Sequence, residues 1–150
     1  VADIIYEVDD PVATITLNRP ERLNAMSYPL LGQFRAAVDA AAADPAVVGL
    51  VVTGAGRGFS AGLDTDALAA IAEAGSSDDR VEPGVRKGLF SYLTQVPKPV
   101  IAAVNGVAAG GGYVLATMCD LRFGGPAARF TTVFSKRGLV SEHGVTWTTP

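Results

Sequence analysis

The chain has 150 residues, 49% of them hydrophobic and 18% charged, with a formal net charge of −3. This is enough apolar material for one domain with a real core and excludes a disordered chain. The acidic balance, with no basic stripe or tail, argues against nucleic acid as the main partner.

Cys119 is the single cysteine and His143 the single histidine. An intramolecular disulfide, a cysteine metal cluster and a multi-histidine metal site are therefore excluded, and no metal is expected. Cys119 sits in an apolar segment and reads as a small core residue. No run of about 20 apolar residues is present, so no membrane span is expected. Asp3 breaks any signal-peptide reading of the start, and the expected location is cytoplasmic.

In chain order, Ile4 to Val8 and Val12 to Leu17 read as two strands around Asp9–Asp10–Pro11. In the second, Ala13, Ile15 and Leu17 alternate with Val12, Thr14 and Thr16, as a sheet face requires. Asn18 to Glu21 ends it. Ser27 is placed to cap a helix with Pro29 in its first turn, and Leu30 or Leu31, Phe34, Ala37 or Val38, and Ala41 share one face. That helix ends near Asp44–Pro45. Val47 to Val52 reads as a buried strand stopped by Thr53–Gly54–Ala55–Gly56.

Leu68 to Ala74 reads as a short helix and Gly75 to Glu82 as a polar loop, the segment most open to motion. Val85, Leu89, Leu93 and Val96 mark one face of a further helix. Val100 to Val104 is a continuous apolar run, as expected of a strand covered on both faces. Gly110, Gly111 and Gly112 follow, then an apolar helix over Val114 to Met118. Leu121 to Phe123 reads as a strand, Phe130 starts another extended piece, Ser135 to Val140 is ambiguous, and Gly144 to Pro150 starts a helix. Strands and helices alternate throughout one domain, 1–150, so the class is α/β.

A helix that begins in glycines presents free N–H groups and the positive end of its dipole. The Gly110–Gly112 triplet is either a tightly packed turn or a seat for an oxyanion, phosphate or enolate. A second glycine-rich element, Thr53 to Asp64, favours the second reading. Within it VVTGAGRG (Val51 to Gly58) resembles the dinucleotide fingerprint of short-chain dehydrogenases. Ser60 stands where the last glycine is expected, and the motif comes far from the first strand. The partner tyrosine-lysine pair is missing: Tyr6, Tyr28, Tyr92 and Tyr113 are followed at that spacing by Asp10, Gly32, Val96 and Thr117. No P-loop lysine follows the glycines, and nucleotide binding of this kind is rejected.

Three stretches together resemble the crotonase family, the enoyl-CoA hydratase/isomerase superfamily. They are LNRPERLNAM (Leu17 to Met26), GFSAGLD (Gly58 to Asp64) and PVIAAVNGVAAGGGYVLATMCD (Pro99 to Asp120). Their order and spacing match, and the likeness runs over essentially the whole chain. The resemblance implies a spiral of repeated ββα units that binds an acyl-CoA thioester, with CoA as part of the substrate and no separate cofactor. It implies that the backbone N–H groups of Leu63 and Gly111 hold the thioester oxygen and stabilise the enolate formed on it. It places the CoA along Arg22, Leu23 and Ala25 and along Ala61, Leu63, Asp64, Thr65 and Asp66. Arg22 is either a phosphate contact or a solvated surface arginine. Asp64 and Asp66 are also placed to favour the N-terminus of the following helix, the preferred reading for both. Asp120 is expected to satisfy backbone at a strand start. Family members run longer, with C-terminal helices that complete the site and build trimers or pairs of trimers. The expectation is thus the N-terminal part of a longer chain, without that helical part, and a homotrimer or dimer of trimers.

The family's hydratases use two glutamates, and the matching positions here are Val114 and Phe134, which cannot move a proton. Glu142, in GLVSEHG (Gly138 to Gly144), matches instead the single catalytic carboxylate of some isomerases of the superfamily. The expected activity is double-bond isomerisation with Glu142 as the only acid/base; the alternative role for Glu142 is an exposed glutamate at a helix start. His143 is placed to bond Glu142 or to act itself. Hydration or thioester hydrolysis through Glu142, and a non-catalytic acyl-CoA-binding or assembly subunit, stay open as alternatives.

Overall fold

A computed structural model describes residues 2–65, 89–135, 138, 140 and 143–149. Strands β1 (Ile4–Asp9) and β2 (Val12–Leu17) form the antiparallel hairpin expected, with Ile4 opposite Leu17. Ala13, Ile15 and Leu17 are the inward face of β2 and are wholly buried. Helix α1 spans Tyr28–Ala43. Its Ser27 hydroxyl accepts from the Leu30 N–H at 3.3 Å, and Leu30, Phe34, Ala37, Val38 and Ala41 form its buried face. Phe34 meets Phe90 edge to face with ring centroids 5.8 Å apart.

Strand β3 is Gly49–Gly54, two residues later than the apolar run indicates. Val47 belongs to the turn after α1, where its N–H donates to the Asp44 carbonyl. The parallel register with β2, from Val12 opposite Gly49 to Leu17 opposite Gly54, sets the strand instead. β4 (Gly58–Ser60), β5 (Val100–Val104), β6 (Val107–Ala109), α2 (Gly111–Met118), β7 (Leu121–Gly124), β8 (Arg129–Thr131) and α3 (Val145–Thr148) follow.

β1 and β2 both belong to the larger of two sheets, and from β3 onward each turn of the chain gives one strand to each sheet. The larger has the order β1-β2-β3-β5-β7 and the smaller β4-β6-β8, all parallel except β1 against β2. β5, β6 and α2 make one complete ββα unit. This is the spiral the crotonase resemblance implies.

Three expectations need correction. β5 is buried at alternate positions, with Ile101 and Ala103 half-covered, so it is not covered equally on both faces. Residues Ser91–Gln95, inside the helix expected over 85–96, form a 3-10 helix with Leu93 inward. β4 and β6, which carry no strand signal in the sequence, are each three residues long; β4 begins at Gly58 and β6 lies between Gly106 and Gly110. The helix expected at Leu68 to Ala74 and the loop at Gly75 to Glu82 lie outside the described residues.

Candidate functional site

The site is built from the peptide planes of two glycine turns. After β4 the chain passes Gly62, at φ +99°, a left-handed conformation that suits glycine. The Gly62 carbonyl accepts from the Met26 N–H at 2.8 Å, and the Asp64 N–H donates to the Met26 carbonyl at 2.9 Å. Met26 and Leu63 thus form a parallel bridge. In a planar trans peptide the N–H points opposite to the carbonyl. Tying the Gly62 carbonyl to Met26 therefore turns the Leu63 N–H away from that strand. Among the described residues no backbone carbonyl accepts from it.

The second plane is Gly110–Gly111. The Gly110 carbonyl accepts from the Val114 N–H at 3.0 Å as the first bond of α2, and the Gly110 N–H donates to the Thr131 carbonyl at 3.1 Å. The Gly111 N–H is left at the open end of the helix, where no carbonyl one turn back exists for it. The two planes are neighbours. A Cβ built on Gly111 would lie 3.5 Å from the Leu63 nitrogen, and one on Gly62 would lie 3.0 Å from the Gly111 nitrogen. Two preset backbone donors side by side, at the positive end of a helix, are an arrangement that can hold a developing oxyanion.

The flanking segments are laced together. The Ala61 N–H donates to the Leu23 carbonyl at 2.9 Å. Asp64 is buried, 4% exposed, and takes a charge-assisted bond of 2.9 Å from Arg19 Nη1, which also donates to the Ala25 carbonyl at 2.7 Å. Asp64 thus pairs with Arg19, a residue the motif resemblance does not single out; the body of the helix that Asp64 is expected to serve lies outside the described residues. Arg22 is half-exposed, with Nη1 3.6 Å from Asp64. Thr65 donates its hydroxyl to Asp64 Oδ1 at 3.4 Å. The predicted stretches Arg22 to Ala25 and Ala61 to Thr65 are therefore side by side. Asp66 and Glu142 lie outside the described residues.

Two asparagines, also not singled out, hold the turn between β3 and β4. Asn24 is wholly buried and its Nδ2 donates to the carbonyls of Ala55 at 2.9 Å and Gly58 at 2.8 Å. Asn105 donates to the carbonyls of Gly54, Gly56 and Gly58. The glycines that mimic a dinucleotide fingerprint lead into β4 rather than into a helix, so they make no phosphate cradle. Nothing local in the sequence marks these two residues, because the carbonyls they serve lie 31 to 51 residues along the chain.

Val114 is wholly buried and Phe134 is 8% exposed, so the two positions matching the hydratase glutamates are apolar packing. His143 Nδ1 accepts from the Leu89 N–H at 3.3 Å. The Leu89 Cδ2 lies 3.5 Å from a Cβ built on Gly111. Asp120 Oδ2 accepts from the Val100 N–H at 2.8 Å, the backbone role expected of it. Cys119 is a core residue as expected, and burial pushes its thiol up to about 12, against the partial relief of nearby Arg122. Among the described residues no cluster of His, Cys, Asp and Glu fits a metal ion, and no helix is long and apolar enough to cross a membrane.

The model of the family described as enoyl-CoA hydratase/isomerase matches residues 7–150. The chain is 42% identical to the protein named probable enoyl-CoA hydratase EchA14 of Mycobacterium tuberculosis, over 96% of this chain and 55% of that protein. It is 40% identical to the 1,2-epoxyphenylacetyl-CoA isomerase of Escherichia coli K12, over 98% of this chain and 56% of the other. Among solved structures, an enoyl-CoA hydratase of Mycobacterium avium subsp. paratuberculosis superposes with a TM-score of 0.78 at 32% identity, over 99% of this chain and 57% of that one. The chain thus spans about half the length of the curated relatives it matches. A spiral of ββα turns, three motifs in register and these likenesses have one reading: the chain belongs to the enoyl-CoA hydratase/isomerase family.

Proposed function

We propose that the protein binds an acyl-CoA thioester and shifts its double bond. The Leu63 and Gly111 N–H groups receive the thioester oxygen, and Glu142 is the only acid/base. The observation that carries this reading is the neighbouring pair of N–H groups, each turned by a carbonyl that is already bonded. Each such donor contributes about 3 kcal/mol of barrier lowering when aimed at developing negative charge. The carboxylate of Glu142 removes a proton from the carbon next to the thioester. The electron pair moves onto the thioester oxygen as a dienolate, and the same proton returns two carbons along. No water is consumed and one carboxylate suffices. Two observations support the assignment to Glu142. The hydratase positions hold Val114 and Phe134. The next residue along, His143, bonds Leu89, whose side chain lies beside Gly111.

A second reading, addition of water across the double bond through Glu142, is favoured by the hydratase names of several relatives. Product identity separates the two. Wild type incubated with a 3-enoyl-CoA gives a conjugated 2-enoyl-CoA on the first reading, and Glu142→Gln loses that product. A hydroxyacyl-CoA formed from a 2-enoyl-CoA, with no shifted double bond from the 3-enoyl substrate, supports the second.

A further inference from the structure

Ser60, where the fingerprint mimic lacks its glycine, touches both donor-bearing turns. It is wholly buried. Its hydroxyl donates to the Asn24 carbonyl at 2.8 Å and accepts from the Gly62 N–H at 3.2 Å. A hydroxyl has one proton, so donation to Asn24 leaves its lone pairs for Gly62. Its backbone meets the other turn: a Cβ built on Gly112 would lie 2.3 Å from the Ser60 carbonyl oxygen and 2.8 Å from Ser60 Cβ. The start of α2 is therefore seated directly on Ser60.

We infer that Ser60 is a positioning residue for the pair of backbone donors. The Gly62 residue is fixed on both sides, its N–H by the Ser60 hydroxyl and its carbonyl by Met26. The Ser60 bond holds the Ala61–Gly62 peptide and the Met26 bond holds the Gly62–Leu63 peptide, so the backbone of Gly62 is fixed between two anchored planes, and the tilt of the Leu63 N–H with it. The seating of Gly112 sets the distance of the Gly111 plane from the same residue. The Ser60 hydroxyl thereby acts on the tilt of the Leu63 donor, without touching the substrate, while the spacing rests on the Ser60 carbonyl and Cβ, which Ser60→Ala and Ser60→Cys retain. Its removal affects the step in which charge reaches the oxygen more than it affects the grip on CoA, because it acts only through the donors.

The inference rests on the thioester-oxygen reading of Leu63 and Gly111, and its test separates the two. The infrared carbonyl stretch of a carbon-13-labelled, non-reactive acyl-CoA thioester is measured bound to the full chain. Wild type, Ser60→Ala and Ser60→Cys are compared for that stretch, for CoA affinity and for turnover. The expected result is a clear downward shift in wild type that is reduced in Ser60→Ala and intermediate in Ser60→Cys. CoA affinity stays within about twofold while kcat falls about tenfold, in line with loss of one buried hydrogen bond. If wild type shows no shift, the donors do not hold the thioester oxygen and the reading of the site fails, taking this inference with it. If wild type shows the shift and Ser60→Ala keeps it with unchanged kcat, the inference alone is overturned. Should Ser60→Ala fail to fold, Ser60→Cys decides: an unchanged stretch overturns the inference and a reduced one supports it.

Discussion

The Met26 N–H holds the Gly62 carbonyl at 2.8 Å, and by doing so points the Leu63 N–H the other way. A donor made like this depends on backbone, so the identity of the Leu63 side chain is free. The glycines beside it are not free, and they fail differently when changed.

At Gly62 the backbone is left-handed, and an added Cβ would sit 2.8 Å from the Ala109 carbonyl oxygen and 3.0 Å from the Gly111 nitrogen. Gly62→Ala is expected to cost about 1–3 kcal/mol of stability through strain and crowding. At Gly111 an added Cβ meets the Leu63 nitrogen and Leu89 Cδ2 at 3.5 Å, ordinary contact, so Gly111→Ala folds with little change. Its methyl stands next to the Leu63 donor, and turnover is expected to fall about a hundredfold or more. Melting curves and initial rates of the two variants check this; equal effects on both quantities in both variants contradict it.

Arg19 and Arg22 both approach Asp64, but Arg19 is the more covered of the two; their side chains are 16% and 52% exposed. Arg19→Ala removes the charge-assisted bond to the buried Asp64 carboxylate and is expected to cost about 2 kcal/mol, much of it recovered in Arg19→Ala with Asp64→Asn. Arg22→Ala is expected to change stability by less than about 0.5 kcal/mol, as exposed pairs do. If Arg22 meets a CoA phosphate, its loss raises KM severalfold at unchanged kcat. Denaturant unfolding and steady-state kinetics distinguish a structural arginine from a binding one.

Cys119 donates to the Leu115 carbonyl at 3.3 Å and is closed off from solvent. Its thiol is raised from 9.0 to about 12, chiefly by burial, so the folded chain holds this proton more tightly than the unfolded chain does. The sign follows: below pH 9 the contribution is fully present, and stability falls as pH rises from there toward 12. Native protein is expected to resist thiol reagents at neutral pH and to react once unfolded. The melting temperature of Cys119→Ala should decline less steeply above pH 9 than that of wild type.

The elements longest in sequence were the most legible. The spacing of Leu30, Phe34, Ala37, Val38 and Ala41 marks the buried face of α1 and Ser27 its cap; the alternation of Ala13, Ile15 and Leu17 marks the inward face of β2. β4 and β6 are not legible because three residues carry no periodicity; neighbouring strands hold them in place. The Leu63 and Gly111 N–H groups are marked in the sequence only by motif resemblance, and the bonds to the Gly62 and Gly110 carbonyls set their direction. Arg19, Asn24, Ser60 and Asn105 stayed hidden because each acts on backbone or on a residue far along the chain, as Asn105 does on Gly54. Such pairings have no local signature.

The most direct test of enolate formation is exchange of the proton on the carbon next to the thioester. A 3-enoyl-CoA is incubated with the full chain in heavy water, and deuterium at that carbon is followed by mass spectrometry for wild type and Glu142→Gln. The account predicts exchange and double-bond shift in wild type, with both reduced at least about a hundredfold in the variant. Equal rates in the two proteins, or no exchange in wild type with any enoyl-CoA, would contradict it.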